Sequence, residues 1–356
     1  MKNINNTVKK KKNYKQMISM GVCVALIAIT FILILTNSNI DEVKEALGQV
    51  VPISLVVGVM CMIGCVACEG ECCRIICNSL GCKLGFGKAF VYSCTDYYFS
   101  AVTPSSTGGQ PAMAYYMSKD GIPVSKSSIS ILLTLVQYMG TLVIFGIVAF
   151  FLELDFLIKN TFIILMFIIG LLLSIGLVFV SLTAMFSQTL VRRIVVWFLN
   201  LLNKINIIKN IDKKIESLDR HLDDYKGGAE YVKNHPAISL RIFGICLIQR
   251  LLLFMVTYCV YRGLGLEGTS MIDILAMQAI VMLSVTILPL PGSIGAAEGM
   301  FLLVFAEVFP AHLLYPAMLL TRGINFYFSM IFAGTITIGN HMIMIRKDKN
   351  SSSFLW

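Results

Sequence analysis

The sequence predicts an all-α, polytopic membrane protein, and three observations carry that prediction. Apolar residues make up 57% of the 356 residues, against roughly 45–50% in soluble domains. Charged residues are only 14%, where about a quarter is usual. The apolar residues also arrive in blocks, several of them beyond the ~18 residues that mark a transmembrane helix. A soluble enzyme is excluded by these counts. So is a membrane β-barrel, whose strands would alternate in short segments.

The elements follow in order. Uninterrupted apolar runs lie at about 17–35, 50–68, 129–152, 161–186, 237–261 and 313–344, each able to cross about 30 Å of hydrocarbon at about 1.5 Å per residue. The first run follows a tail containing Lys2, Lys9, Lys10, Lys11, Lys12 and Lys15. It ends in Thr36-Asn37-Ser38 with no small-residue cleavage pattern, so it is expected to stay attached as a span rather than leave as a signal peptide. Formal net charge is +9, and much of it sits in that tail as a positive-inside anchor. Nucleic-acid binding is not expected.

Six full spans place both termini on one side, and the charges name the side. The first outer loop holds Asp41, Glu42, Lys44 and Glu45, whereas Arg74, Lys83, Lys88, Arg192, Arg193, Arg346, Lys347 and Lys349 fall on the other. Both termini are therefore expected in the cytoplasm. The domain reading is a basic tail at 1–16, a single membrane domain at 17–345 and a second tail at 346–356. Within the domain, 188–235 is a polar connector. Val191, Ile194, Val195, Phe198, Leu202 and Ile205 give it an amphipathic face, and a second helix ends near Gly227-Gly228.

Most of the 11 cysteines fall between Cys61 and Cys94. Cys61, Cys65, Cys68 and Cys72 share one helical face. Small, soft residues there are expected to pack against a neighbouring helix, and a metal or redox cluster is the alternative. No metal and no cofactor is expected.

Two regions do not read as ordinary spans. From Lys88 to Gly121 an aromatic-rich run breaks at Thr103-Pro104-Ser105-Ser106-Thr107-Gly108-Gly109 and resumes for about ten residues. From Met271 to Phe309 the run breaks at Pro289-Leu290-Pro291-Gly292-Ser293-Ile294-Gly295 and resumes for a similar length. Ten helical residues reach about 15 Å, half the hydrocarbon core. Both regions are expected to be re-entrant hairpins, the first entering from the cytoplasm and the second from outside, with two kinked full spans of no binding role as the alternative. Opposed broken elements in two halves are the mark of an inverted repeat with a substrate site at the breaks.

Ionisable groups in hydrocarbon are costly, so the few retained are candidates for function. Arg250 and Arg322 lie within runs, Glu298 follows the second break, Asp96 precedes the first and Gln110 follows it. Two arginines and one glutamate read either as a structural cluster whose charges cancel or as an anion site with one net positive charge. Arginine forks match phosphate, and the half-helix N-termini after Gly109 and Gly295 would aim positive ends at the same place. The candidate binding set is Arg250, Glu298, Arg322, Asp96, Gln110, Gly108, Gly109, Gly292, Ser293 and Gly295, with a phosphodiester headgroup as the ligand. Pro111 fits a first helical turn. Ser293 and Ser105 read as helix caps, and Arg241 as a snorkelling residue. No nucleophile–base set, P-loop or metal-spaced pattern appears, so no catalytic residue is expected.

The two breaks resemble the motifs of the lysylphosphatidylglycerol synthase transmembrane-domain family. The first is Thr103 to Pro111 with Tyr115-Tyr116-Met117 and Lys119-Asp120-Gly121. The second is Pro289 to Gly299, and Thr321-Arg322 matches the arginine of the final helix. In that family the domain is the flippase half of the multiple peptide resistance factor. The resemblance implies movement of phosphatidylglycerol or its aminoacylated form between leaflets of a bacterial plasma membrane, and resistance to cationic antimicrobial peptides. It also carries the activity phosphatidylglycerol lysyltransferase, which belongs to a cytosolic domain that a chain ending at Trp356 is expected to lack. Where many members have a basic residue after the Gly-Gly pair, this chain has Gln110-Pro111-Ala112-Met113, which removes one cationic contact and leaves the lipid open. The expected function is a lipid translocator, with a lysyltransferase (or its membrane subunit) and a small-solute or ion transporter as alternatives. The expected partners are an anionic or aminoacylated phospholipid and the membrane, with room for a separate synthase chain or a second copy.

Overall fold

The computed structural model describes residues 50–103, 106–187, 227–286 and 290–353, and positions 48, 192, 193, 196, 197 and 288 besides. The expected first span, both tail ends, Pro104, Ser105, Pro289 and most of the amphipathic connector lie outside the described residues. Among the described residues every regular element is helical and no strand occurs. In chain order they are α1 (Pro52–Ser79), α2 (Phe86–Val102), α3 (Gly109–Lys119), α4 (Val124–Leu152), α5 (Leu154–Lys159) and α6 (Thr161–Phe186). Beyond the connector come α7 (Pro236–Gly263), α8 (Met271–Thr286), α9 (Ala296–Val304), α10 (Ala311–Arg322) and α11 (Ser329–Ser353).

Five of these stretches are long and apolar enough to cross a membrane: α1, α4, α6, α7 and the run Ala311–Arg346. Their outward faces carry Phe151, Leu172, Phe179 and Leu240, each more than half exposed. In water such a surface would aggregate; against lipid it is the ordinary exterior of a span. The last run is not one regular helix. Pro316 lies inside α10, and a π-helical segment at Gly323–Phe328 joins α10 to α11. A proline and a π-turn are the usual ways a helix is re-aimed. α1 is longer than the run read from hydropathy: it continues through Glu69 to Ser79. Arg74 therefore belongs to the helix, where it pairs with Glu71 at 2.6 Å, and not to the following loop.

α1 and α7 form an antiparallel pair along the middle of the bundle. The Val51 amide donates to the Gly263 carbonyl at 2.9 Å, Gly58 faces Cys259 and Cys72 meets Cys246 at 3.9 Å between sulfurs. Partner numbers fall along α7 as they rise along α1. Small residues at this seam let two backbones approach closely, which is how helices associate without a hydrophobic drive between them. The cysteine face of α1 is thus spent on packing, as the spacing suggested.

α8 is buried on every side, with nearly all of Ile274–Val285 hidden from solvent. It passes through a notch cut by glycines on two neighbours. A Cβ at Gly170 of α6 would run into the Leu283 carbonyl, and one at Gly146 of α4 into the Leu283 side chain. A helix that is apolar all round needs such a complete enclosure.

Candidate functional site

Each of the two broken regions forms a helix, a break and a shorter helix that packs back on the first. α3 has 11 residues and α9 has 9, lengths of roughly 16 Å and 14 Å at about 1.5 Å per residue. The breaks fall where the sequence placed them. Gly108 is the N-cap residue of α3, and Gly295 is that of α9. Pro111 lies in the first turn of α3, where its missing N–H costs nothing. α2 packs against the turn Pro291–Ser293, so one hairpin touches the break of the other.

The second break is built around a charge pair. The chain turns through the left-handed region at Gly292 (φ 56°), Ser293 (φ 52°) and Gly295 (φ 84°). Ser293 is a non-glycine residue in that region, an uncommon conformation that favours function or strong local support. The support is visible. Glu298 Oε2 accepts from the Gly295 amide at 2.7 Å, and Glu298 Oε1 accepts from Arg322 Nε at 2.9 Å. Arg322 also donates from its second nitrogen to the Gly292 carbonyl at 3.1 Å, and its guanidinium lies over the Phe326 ring at 4.6 Å. Glu298 is 4% exposed. Nearby on the same stretch, Thr321 Oγ1 and Asn325 Oδ1 are buried without a hydrogen-bond partner.

The first break is held differently. The Gly108 amide donates to Thr103 Oγ1 at 2.9 Å. Gly109 is buried against Asp96, and a Cβ there would collide with the Asp96 carboxyl and the Ser100 hydroxyl. At its mouth the hairpin is closed by Asp120, which accepts from Lys88 at 2.8 Å and from the Tyr92 hydroxyl at 2.7 Å. Gln110 is half-buried at the start of α3.

Arg250 stands apart from the Glu298–Arg322 pair. It is fully buried, donates to the Tyr138 carbonyl at 2.8 Å and to Met282 Sδ at 3.1 Å, and stacks on the Tyr138 ring at 3.8 Å. Its Nε has no partner, and among the described residues no carboxylate lies within ion-pair distance of it. The structure thus joins Arg322, Glu298, Gly292 and Gly295 in one site and Gly108, Gly109 and Asp96 in another. Arg250 sits on a third set of neighbours. Ser293 does not cap α9 through its side chain; the Glu298 carboxylate does that work. Arg241 is exposed, in keeping with its position near the start of α7.

Sequence reading overlooked one polar group. Glu69 of α1 reaches Asp96, Gln249 Nε2 reaches Glu69 and the Tyr97 hydroxyl, each at 3.4 Å, and Tyr97 meets Cys65 at 3.1 Å. A glutamate one residue past the end of an apolar run was the available signal. Among the described residues no three His, Cys, Asp or Glu side chains gather as a metal site.

A family model described as the lysylphosphatidylglycerol synthase TM region matches residues 18–333, which includes both breaks and Arg322. A UPF0104 membrane protein of Archaeoglobus fulgidus is 23% identical over 284 residues, covering 78% of this chain and 83% of that protein.

Proposed function

The chain belongs to the lysylphosphatidylglycerol synthase TM region family, and from that premise we propose that it moves phosphatidylglycerol-type or aminoacyl-phosphatidylglycerol lipids between leaflets. The observation that carries the reading is the second break beside α2. There the N-terminus of α9 and the Arg322 guanidinium meet where backbone has left the helix, and Thr321 and Asn325, on the same stretch as Arg322, keep buried oxygens without partners. Irregular backbone at membrane depth is tolerated where it is enclosed by protein or lines a cavity. On this reading α3 and α9 are re-entrant half-helices and the two hairpins enter from opposite faces. The antiparallel seam of α1 with α7 has the orientation that such inverted halves require.

The chemistry follows from charge. Arg322 and Glu298 cancel while paired, and Arg322 released from Glu298 offers one positive charge, the complement of one phosphodiester. An arriving phosphate competes with Glu298 for the Arg322 fork, since guanidinium binds both in bidentate fashion. The freed Glu298 then faces an aminoacyl ammonium if the lipid has one. Gln110, at the start of α3, offers an amide to the glycerol hydroxyls. Movement runs downhill or on an ion gradient. Both termini lie in the cytoplasm of a bacterial cell, and the aminoacylated lipid, once outside, lowers the surface charge that attracts cationic peptides.

The test is leaflet exchange in vesicles containing the purified protein, with labelled phosphatidylglycerol and lysyl-phosphatidylglycerol compared. Exchange above that of protein-free vesicles is expected, and the faster lipid names the substrate. Equal rates with and without protein, for both lipids, would overturn the reading.

A further inference from the structure

Arg250 carries a charge that headgroup binding at the second break does not use. It belongs to α7, and its guanidinium sits where α7, α4 and α8 pack on one another. The residue is 0% exposed. Arginine keeps its proton at any physiological pH, so burial is not relieved by neutralisation. The pairs made by Arg74, Arg262 and Arg322 show the usual remedy, a carboxylate within 3.0 Å. Arg250 has none among the described residues, and Glu69 is reached by the neighbouring Gln249 instead. A buried charge left in that state is strongly destabilising.

Neutral groups stand in for the missing carboxylate, and they fall short. The Tyr138 carbonyl accepts from Arg250 Nη2 at 2.8 Å, but the same oxygen also takes the Thr141 hydroxyl at 2.8 Å. Met282 Sδ, at 3.1 Å from Nη1, is a thioether and a weak acceptor. The rings of Tyr138 and Phe254, at 3.8 Å and 5.8 Å, attract a cation but carry no net charge. A separate observation points the same way: Arg250 Nε is buried and has no acceptor at all, where buried donors are normally satisfied. A water molecule would satisfy that N–H and leave the charge uncompensated. The partner that answers both shortfalls is negative. Its class follows from the donors still free. A phosphate or carboxylate grips a guanidinium by two parallel bonds, and here Nη1 and Nη2 are already turned to Met282 and Tyr138. One bare N–H in an enclosed place suits a small, singly charged, monatomic ion.

We propose that Arg250 Nε binds a halide ion, with chloride as the physiological occupant, between α7, α4 and α8. Tyr138 and Met282 are only half-buried, which leaves a way in. The ion neutralises the guanidinium and so braces α8, the first arm of the second hairpin, against α4 and α7. The site is separate from the Arg322–Glu298 pair and does not rest on the translocator reading.

The experiment is the thermal midpoint of the purified full chain in detergent, at fixed pH and ionic strength, as sodium chloride replaces sodium gluconate. We expect it to rise by about 2 °C or more over a hundredfold range of chloride, with sodium bromide acting alike. Arg250→Met should lose that rise. It should also be no less stable than the wild-type protein in gluconate, because it removes a buried charge that lacks compensation there. Arg241→Gln, at an exposed position of the same helix, should keep the chloride response. If Arg250→Met does not elute as a single species, Arg250→Gln carries the same comparison. Labelled chloride retained saturably by the wild-type chain, and displaced by bromide, is expected in either case. A wild-type midpoint indifferent to chloride would overturn the proposal. So would a response that survives in the Arg250 variants, or variants that lose the same stability in both salts, as a merely bracing arginine requires. A rise with sodium phosphate while chloride is inert would overturn it too, by assigning Arg250 to an oxyanion. None of these readouts involves lipid, so failure here leaves the translocation reading standing, and failure of lipid exchange leaves the halide site standing.

Discussion

The two breaks solve one problem in different ways. Each interrupts a helix where the freed amides and carbonyls need partners. At the second break the partners are a buried ion pair: Glu298 caps α9 and Arg322 holds both Glu298 and the Gly292 carbonyl. At the first they are uncharged, Thr103 to Gly108, and the nearby carboxylate Asp96 keeps a bare oxygen. The enclosing helices differ in the same sense, since α8 is buried on all sides while α2 has buried residues only between Ala89 and Thr95. A charge near a break can therefore be structural cement or an unused valence, and neighbouring atoms decide which.

The largest effect that would sharpen this comparison is at Arg322. Arg322→Ala leaves Glu298 buried and unpaired, and breaking such a pair costs about 3–5 kcal/mol. The pair is 12% and 6% exposed, so little of that is lost to solvent screening. Removing both charges, in Arg322→Ala with Glu298→Ala, should recover much of the loss. Unfolding curves in mixed micelles for the two singles and the double give the coupling directly. A double variant no more stable than Arg322→Ala would mean that the pair does not hold the second break.

Next comes the enclosure of α8. Gly170→Ala puts a methyl group against the Leu283 backbone, and overpacking of that kind costs about 1–3 kcal/mol. The same substitution at Gly140 of α4, which has open space around its Cβ position, should change the unfolding midpoint little. Equal effects at the two glycines would contradict the notch.

Asp96→Asn should behave opposite to Arg322→Ala. It replaces a carboxyl one of whose oxygens lacks a donor, so stability is expected to change by less than about 1 kcal/mol, in either direction. A loss as large as that of Arg322→Ala would erase the distinction between the breaks. The smallest effect concerns Glu153, between α4 and α5. Burial and then the nearby Asp273 hold its carboxyl above the usual carboxylate range. Its folded form therefore binds a proton more tightly than its unfolded form, and stability is greatest below the ordinary carboxylate range. It falls as pH rises from there through the raised folded value. Glu153→Gln should flatten that part of the pH–stability curve, and an unchanged slope would show that Glu153 is not the group responsible.

What the sequence disclosed, and what it hid, follows the same physics. Both breaks were legible because each gathers proline and glycine within a few residues, whereas a lone Pro316 or Gly170 stays inside a helix; the N-caps Gly108 and Gly295 lie where the motifs put them. Glu298 and Arg322 were legible as costly charges, but their bond was not, because it links residues 24 apart across a turn whose path only the fold sets. Grouping Arg250 with them was the natural guess from charge alone. The structure instead seats it on Tyr138 and Met282. Glu69 was hidden by hydropathy itself: the apolar run thins at residue 68, whereas the helix goes on to Ser79 because α2 and α7 cover its polar turn. The π-segment after Arg322 left no trace in the sequence, since Gly323–Phe328 carries no proline and lies within one long apolar run.

The most direct test of the central claim is phospholipid exchange by the Arg322→Ala, Glu298→Ala double variant beside the wild-type protein, both reconstituted in vesicles after matched folding checks. The account predicts exchange of phosphatidylglycerol or its lysyl form by the wild-type protein, and a rate near that of empty vesicles for a double variant that is folded. Exchange by the double variant at the wild-type rate would contradict it, since the second break would then have no part in carrying the headgroup.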